Sequence, residues 1–314
     1  MAAPTDLVTE GRTPAEGALA AMRALLPDPD RPGRVQAALD RVESARWADP
    51  LLMRLRGLVR SLPEGTRDAL HGTRLGHPVH PVLVQVPIGT WTSAAVLDLL
   101  PGRRRGAGLL VGVGLAAAAP AALAGWADWA ELHKPQMRVG LVHAAANTVA
   151  VGLYAASLAA RLRGRRMKGR ALAYAGLLTV SAGGALGGHL AYRQAAGVNH
   201  AEPVSVLAGP GWQPVGELAD FPVGTPVSRM LGEVPVFVLR QADGTVHVLA
   251  DRCSHQAGPL SGGEVADGCV RCPWHGSTFR LTDGHVVHGP STAPQPVFET
   301  RVTAGLLEAR LPGT

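Results

Sequence analysis

The chain is 314 residues long, room for two ordinary domains or for one domain beside a membrane unit. Hydrophobic residues make up 46% and charged residues only 17%, and the mean hydropathy is slightly positive, which argues against a disordered chain and against an ordinary soluble enzyme. The net charge is +6, the 39 glycines and 25 prolines follow no collagen-like period, and three cysteines are too few for a disulfide framework.

The charge is unevenly placed. Residues 1–202 carry 23 Arg/Lys against 14 Asp/Glu, whereas residues 203–314 carry 7 against 10. All four phenylalanines lie in the second part and all three tyrosines in the first, so a domain boundary is expected near Glu202 and Pro203. Lys134 and Lys168 are the only lysines, an arginine bias that reads as a GC-rich bacterial genome. The arginines stand between long apolar runs and not among aromatics, which points to a lipid bilayer and away from nucleic acid.

Residues 1–33 lack the apolar core of a signal peptide and carry charges and prolines throughout, so loose order is expected there, within a tail of residues 1–69. Residues 35–46 have a helical pattern. Leu51, Leu55, Val59 and Leu62 then form a stripe at helical spacing, flanked by Arg54, Arg56 and Arg60. Such an amphipathic helix lies on a membrane surface or packs on the protein itself.

Four apolar segments follow, at 82–100, 106–126, 139–158 and 171–190. Each has the roughly 20 residues needed to cross a ~30 Å hydrocarbon core. Short hydrophilic connections make residues 70–196 a four-helix transmembrane bundle. Gly183, Gly184, Gly187 and Gly188 would let helices approach closely, and Trp126, Trp129 and Tyr192 sit where interfacial aromatics belong.

From Pro203 the texture changes to an all-β domain, 203–314. Runs 234–239 and 245–250 flank Asp243-Gly244, a hairpin signal, and runs 298–302 and 306–310 make another strand pair. Within it stand Cys253-Ser254-His255 and Cys272-Pro273-Trp274-His275. Two short loops each offer a thiolate and an imidazole. This set fits a tetrahedral Cys2His2 zinc or a 2Fe–2S cluster with two cysteines on one iron and two histidines on the other. The glycines of His255-Gln256-Ala257-Gly258 and His275-Gly276-Ser277 favour the cluster, since backbone must approach inorganic sulfide. Ser277 is placed to donate a hydrogen bond that tunes the centre. Gly289-Pro290, with Pro294 and Pro296, would form a rigid third loop over the site.

These residues resemble the Rieske iron–sulfur family over residues 203–311. The resemblance implies that Cys253 and Cys272 ligate a buried iron and His255 and His275 an outer, partly exposed one. In the quinol-oxidising branch each loop carries a further cysteine, the two joined as a disulfide, and a tyrosine follows the loop serine. Gly258, Trp274 and Phe279 hold those places here, so the loops resemble Rieske ferredoxins and oxygenase modules. Loss of the tyrosine hydroxyl implies a potential in the lower half of the roughly −150 to +300 mV Rieske range. Cys269, the third cysteine, is expected as a small buried strand residue.

His77-Pro78-Val79-His80-Pro81 and the run after it resemble a bacterial membrane family, domain of unknown function 2231, over residues 70–192. Alternating spans place His77, His80, His133, His143 and His189 on one face together with Asp128, while Asp98 lies at the opposite end. Intramembrane polar groups usually have a function. His143 and His189 are a candidate b-type haem pair, a quinone pocket is a second reading, and structural hydrogen bonding a third. Nine Arg/Lys at 103–105 and 161–170 lie on the face away from the histidines, which by the positive-inside rule puts the β domain outside. The missing signal peptide and the intracellular assembly of such clusters argue the reverse, and Arg165-Arg166 makes only a weak twin-arginine signal.

The chain thus reads as a multi-pass protein of a bacterial cell membrane, carrying single electrons to or from a redox partner protein. It has no dinucleotide-binding glycine fingerprint and no facial iron triad with its own catalytic domain, so it reads as one component of an oxidoreductase system. The alternatives are a membrane oxidoreductase using haem or quinone at the histidine face, and a redox sensor.

Overall fold

The structure, a computed structural model, describes residues 33–313. The expected loose order at residues 1–33 falls almost wholly outside them. Helices α1 (Arg34–Glu43), α2 (Asp49–Arg60) and α3 (Glu64–His71) come first. Asp49 and Pro50 open α2, where an acidic group meets the positive end of the helix dipole and proline's missing N–H goes unneeded.

The buried stripe of α2 is offset from the expected one. Leu52 is fully buried, with Leu55 and Val59 beside it, against Trp129, Ala130, Leu132 and Met137. Leu51 and Leu62 point outward, 49% and 38% exposed. Polar contacts set this rotation. Arg56 donates to the Ala130 carbonyl at 2.8 Å, and Arg60 pairs with buried Glu131. Arg56 and Arg60 therefore grip the protein, and the helix packs one face on the bundle.

The bundle comprises α4 (Val79–Leu83), α5 (Gln85–Leu99), α6 (Arg104–Trp129), α7 (Lys134–Leu162) and α8 (Arg166–Gly188), the last continued by a wide π turn, His189–Arg193. Four helical stretches are long and apolar enough to cross a membrane: Val79–Leu99, Arg105–Trp129, Lys134–Leu162 and Arg166–Arg193. The helices outrun the apolar segments because Arg, Lys and Gln are good helix formers, so the backbone ladder continues past the point where hydropathy falls. Only residues 130–133 and 163–165 remain as the second and third connections.

Between 22% and 28% of each apolar window is buried inside the protein, so most of its apolar surface faces outward. The interior is knit by Trp91 stacked on Tyr154, ring centroids 4.1 Å apart. Glycine makes this possible: a Cβ at Gly114 would stand 2.2 Å from the Trp91 ring. Gly183 and Gly187 likewise receive Asn147 and His143, whereas Gly184 faces open space. Trp129 departs from the expected interfacial role. It is buried under α2 and donates to the Met137 carbonyl at 2.8 Å, because α2 covers this end of the bundle. Tyr192 is fully outward, 93% exposed.

A short helix α9 (Val204–Leu207) leads into ten strands: β1 (Gln213–Glu217), β2 (Val227–Leu231), β3 (Val234–Arg240), β4 (Val246–Ala250), β5 (Glu264–Ala266), β6 (Cys269–Arg271), β7 (Thr278–Arg280), β8 (Val286–His288), β9 (Val297–Thr303) and β10 (Leu306–Arg310). They form an antiparallel six-stranded sheet, β1-β10-β9-β4-β3-β2, and an antiparallel four-stranded sheet, β5-β6-β7-β8. Alternation along β3 and β4 serves two cores. Val236, Val238 and Val248 enter one, and Phe237, Leu239 and Leu249 enter the other, which also holds Cys253 and Cys272. The Asp243-Gly244 turn closes this hairpin as expected, with Gly244 at φ +89°. Cys269 opens β6 and is half-buried.

The offset stripe on α2 is testable. Leu52→Ala should lower unfolding stability by about 2–5 kcal/mol, and Leu51→Ala should stay within about 0.5 kcal/mol of the parent, measured by thermal unfolding of the full chain in detergent.

Candidate metal centre

The two ligand loops leave β4 and β6 and share one hydrogen-bond plan. Cys253 N–H donates to the Gly258 carbonyl and Ala257 N–H to the Cys253 carbonyl, both at 2.8 Å. Cys272 N–H donates to the Ser277 carbonyl at 2.8 Å and Gly276 N–H to the Cys272 carbonyl at 3.0 Å. The residue four places after each cysteine adopts the left-handed conformation, Ala257 at φ +56° and Gly276 at +82°. In each turn backbone N–H groups aim at the sulfur: those of His255 and Gln256 at Cys253, those of Trp274 and His275 at Cys272.

Both thiols are buried, 1% and 3% exposed, at the end of the core between the sheets. Each thiol acts on the other: Cys272 is pulled down to about 7 by Cys253 and, further, by the backbone N–H groups of Trp274 and His275, while Cys253 is pushed well up by Cys272, burial adding to the rise. The imidazoles of His255 and His275 meet edge to face, centroids 5.0 Å apart. Burial holds His255 well below the usual histidine range, the neighbouring His275 adding to the fall. Burial also takes His275 down to about 4, with Glu131 opposing and His133 assisting. Neutral imidazoles present lone pairs to a metal.

Glycine at 258 is required by close approach and not by its backbone angles. A Cβ there would stand 3.0 Å from Cys272 Sγ and 2.9 Å from the Trp274 ring. Trp274 thus packs over Gly258, the two positions by which the sequence departs from the quinol-oxidising branch.

The third loop covers the site as expected. It begins at the cis Gly289-Pro290 bond and is fastened by Gln295. That side chain donates to the Ala250 and Arg252 carbonyls, each at 2.7 Å, and accepts from Ser254 N–H at 3.0 Å. The Ser254 and Ser291 hydroxyls share a hydrogen bond of 2.7 Å. Ser277 is fully buried and its Oγ accepts from Ser291 N–H at 3.0 Å, which leaves its proton to donate elsewhere.

These residues fit a 2Fe–2S cluster. His255 Nδ1 is buried and has no hydrogen-bond partner, as a metal-binding nitrogen would be left. Among the described residues no three His, Cys, Asp or Glu side chains gather around one ion position. A thiol pair and a separate imidazole pair match two ligands per iron better than four ligands on one zinc.

The imidazole edge docks on the helical unit. The His133 ring lies 5.5 Å from that of His275 and 5.5 Å from that of Trp274. Burial holds His133 itself below the usual range, and His200 and Arg56 add to this. Asp68 on α3 accepts from His288 Nδ1 at 2.9 Å and from Gly289 N–H at 2.8 Å. His200 N–H donates to the Ser254 carbonyl at 2.9 Å. Buried His71 donates to Asp128 at 2.8 Å. Sequence reasoning missed Asp68, His71, Glu131 and His200. Asp68 and His288 are 220 positions apart, and no local pattern announces such a pair.

The histidine face dissolves into separate roles. His143 Nδ1 donates to the Gly183 carbonyl at 2.8 Å and its Nε2 faces Asn147 Nδ2 at 3.2 Å. His189 Nε2 donates to Glu43 at 3.0 Å, and His80 donates to the Ala121 carbonyl at 2.8 Å. His77 is exposed. The candidate haem pair is therefore corrected: both nitrogens of His143 are engaged and His189 is held by α1, so the arrangement supports neither a haem nor a quinone. His133 alone among these histidines meets the metal site.

The Rieske 2Fe-2S domain model matches residues 211–299, and that of the predicted membrane protein family DUF2231 matches residues 76–200. Over 100 residues the chain is 34% identical to the anthranilate 1,2-dioxygenase ferredoxin subunit of Burkholderia cepacia, covering 32% of this chain and 92% of that one. Over 74 residues it is 39% identical to the oxygenase component of dicamba O-demethylase from Stenotrophomonas maltophilia, covering 24% of this chain and 20% of that one. The ferredoxin of carbazole 1,9a-dioxygenase from Nocardioides aromaticivorans IC177 is similar in structure at 21% identity and a TM-score of 0.31, covering 32% of this chain and 99% of that one.

The Gly258 contact can be separated from loop flexibility in general. Gly258→Ala should cut iron and labile sulfide content severalfold, because the new methyl meets Cys272 and Trp274. Gly262→Ala should leave both unchanged, since its nearest neighbour, a Pro273 side-chain carbon, stands at 3.9 Å.

Proposed function

This chain belongs to the Rieske 2Fe–2S family, its Rieske domain following a DUF2231 domain, and from that premise we propose a membrane-anchored electron carrier of a bacterial cell membrane, serving a redox partner protein. The cluster, when bound, takes up and gives back one electron at a time. Cys253 and Cys272 would hold the inner iron, His255 and His275 the outer, with Ser277 donating a hydrogen bond beside them. Burial keeps water from the thiolates, and four aimed backbone N–H groups offset their negative charge.

One observation carries the reading beyond a free ferredoxin. The imidazole edge, where electrons enter and leave, faces the helical unit through His133, and Asp68 fastens the third loop to that unit. Four outward-apolar helices support anchoring in a bilayer, and the arginine-for-lysine bias supports a bacterial source. The proposed division is a tail to residue 69, a four-span unit at 70–196 and a Rieske domain at 203–314. Trp274, 48% exposed, is the outward shoulder of the site and the place for a partner to meet it. Reducing equivalents come from that partner.

Two measurements on membranes from cells expressing the full chain test this. Iron and labile sulfide should stay with the membranes after alkaline carbonate washing. The bound centre should titrate as a one-electron couple in the lower half of the roughly −150 to +300 mV range. Release of the chain into the wash contradicts anchoring, and a midpoint well above about +200 mV contradicts the assignment to the ferredoxin-like branch.

A further inference from the structure

The end of the bundle away from the metal site carries a groove of about 890 Å³ between α6, α7 and α8. This is within the roughly 300–1,000 Å³ of ordinary ligand sites. Gly108, Gly112 and Ala116 recur every four residues along α6 and keep the groove floor low: a Cβ at Gly108 or Gly112 would already be in ordinary contact, at 3.9 Å, with Arg161 or Leu158. Leu109, Val113 and Leu158 make apolar walls, and Leu109 is 69% exposed on the outer surface. From Arg105 to Ala116 the groove runs about 16 Å along the helix.

Its mouth is strongly cationic. Arg105, Arg161, Arg166 and Arg170 line it against one carboxylate, Asp98. Asp98 is already committed, bound through both oxygens to Arg161. Among the described residues neither Arg105 nor Arg166 has an acidic partner, and Arg170 Nε is buried with no acceptor at all. An unpaired buried guanidinium N–H is costly, and an anion in the groove would remove that cost. Apolar walls ending in unpaired arginines ask for a ligand with a long hydrocarbon part and an anionic head.

We propose that this groove binds an anionic phospholipid, its phosphate among Arg105, Arg166 and Arg170 and an acyl chain along Gly108, Gly112 and Ala116. The site rests on the membrane-spanning reading, since only there does a bilayer supply the occupant and place headgroups at the ends of the helices. The Arg161–Asp98 pair braces the groove from beneath and is not itself the anion site.

Native mass spectrometry of the full-length holoprotein in detergent, titrated with dioleoyl phosphatidylglycerol or dioleoyl phosphatidylcholine, tests the proposal. The phosphatidylglycerol adduct should be favoured, and the Arg105→Gln/Arg166→Gln/Arg170→Gln variant should lose that preference by about tenfold or more. The Arg→Lys version of the triple variant should keep most of it. Gly112→Leu, which fills the groove and leaves every charge in place, should weaken binding as well. Equal retention of the two lipids by the parent chain overturns the proposal without reliance on any variant. So does full displacement by inorganic phosphate, which would make the groove a simple anion site. Carbonate extraction is run alongside: a chain that stays in membranes but shows no lipid preference sinks the groove alone, and a chain that washes off sinks the membrane reading.

Discussion

The proposed cluster needs two thiols facing one iron and two imidazoles the other, with water kept from the sulfur. Two turns with the same hydrogen-bond plan serve this need. Each closes on its cysteine, each has a left-handed residue four places on, and each aims two backbone N–H groups at sulfur. The remaining β structure serves that constraint. The alternation of β3 and β4 supplies a core on which the thiols rest, and Gln295 ties the covering loop to the first turn. Gly258 and Trp274 provide by packing a closeness between the turns that needs no covalent link.

The second organising contact joins the halves of the molecule. Asp68 receives two hydrogen bonds from His288 and Gly289 at the start of the covering loop, so the helical unit grips the same loop that shields the metal site. His133 sits between α6 and α7, where it also caps α7 through Gln136, and turns its ring toward His275. Glu131 of the same connection, with Arg56 and Arg60 on α2, acts electrostatically on His275. Four residues, 130–133, therefore link the packing of α2, the start of α7 and the electrostatics of the imidazole edge.

Much of this was legible in the sequence, and the reason differs by part. The candidate ligands stood out because two thiol–imidazole pairs at this spacing serve few chemistries, and the β hairpins because strand alternation and turn residues are local signals. The four helices were visible as apolar runs, but their ends were not, since Arg, Lys and Gln extend a helix after hydropathy drops. Leu55 and Val59 of the expected α2 stripe pack on the bundle, but Leu52 is buried where Leu51 was expected, because Arg56 and Arg60 choose the rotation through Ala130 and Glu131, more than seventy positions away. The bundle histidines looked like one cluster because topology places them at one end. Only the folded chain gives each its own acceptor, Gly183 for His143, Glu43 for His189 and Ala121 for His80. The docking set around Asp68 has no sequence signature at all.

The division of ligands into a sulfur side and a nitrogen side is the claim on which the functional account stands. Electron–nuclear double resonance of the reduced full-length chain, grown with nitrogen-15 histidine, measures it directly. The account predicts two strongly coupled histidine nitrogens, with about two irons and two labile sulfides per chain. A different number of coupled histidines, or zinc in place of iron and sulfide, contradicts it.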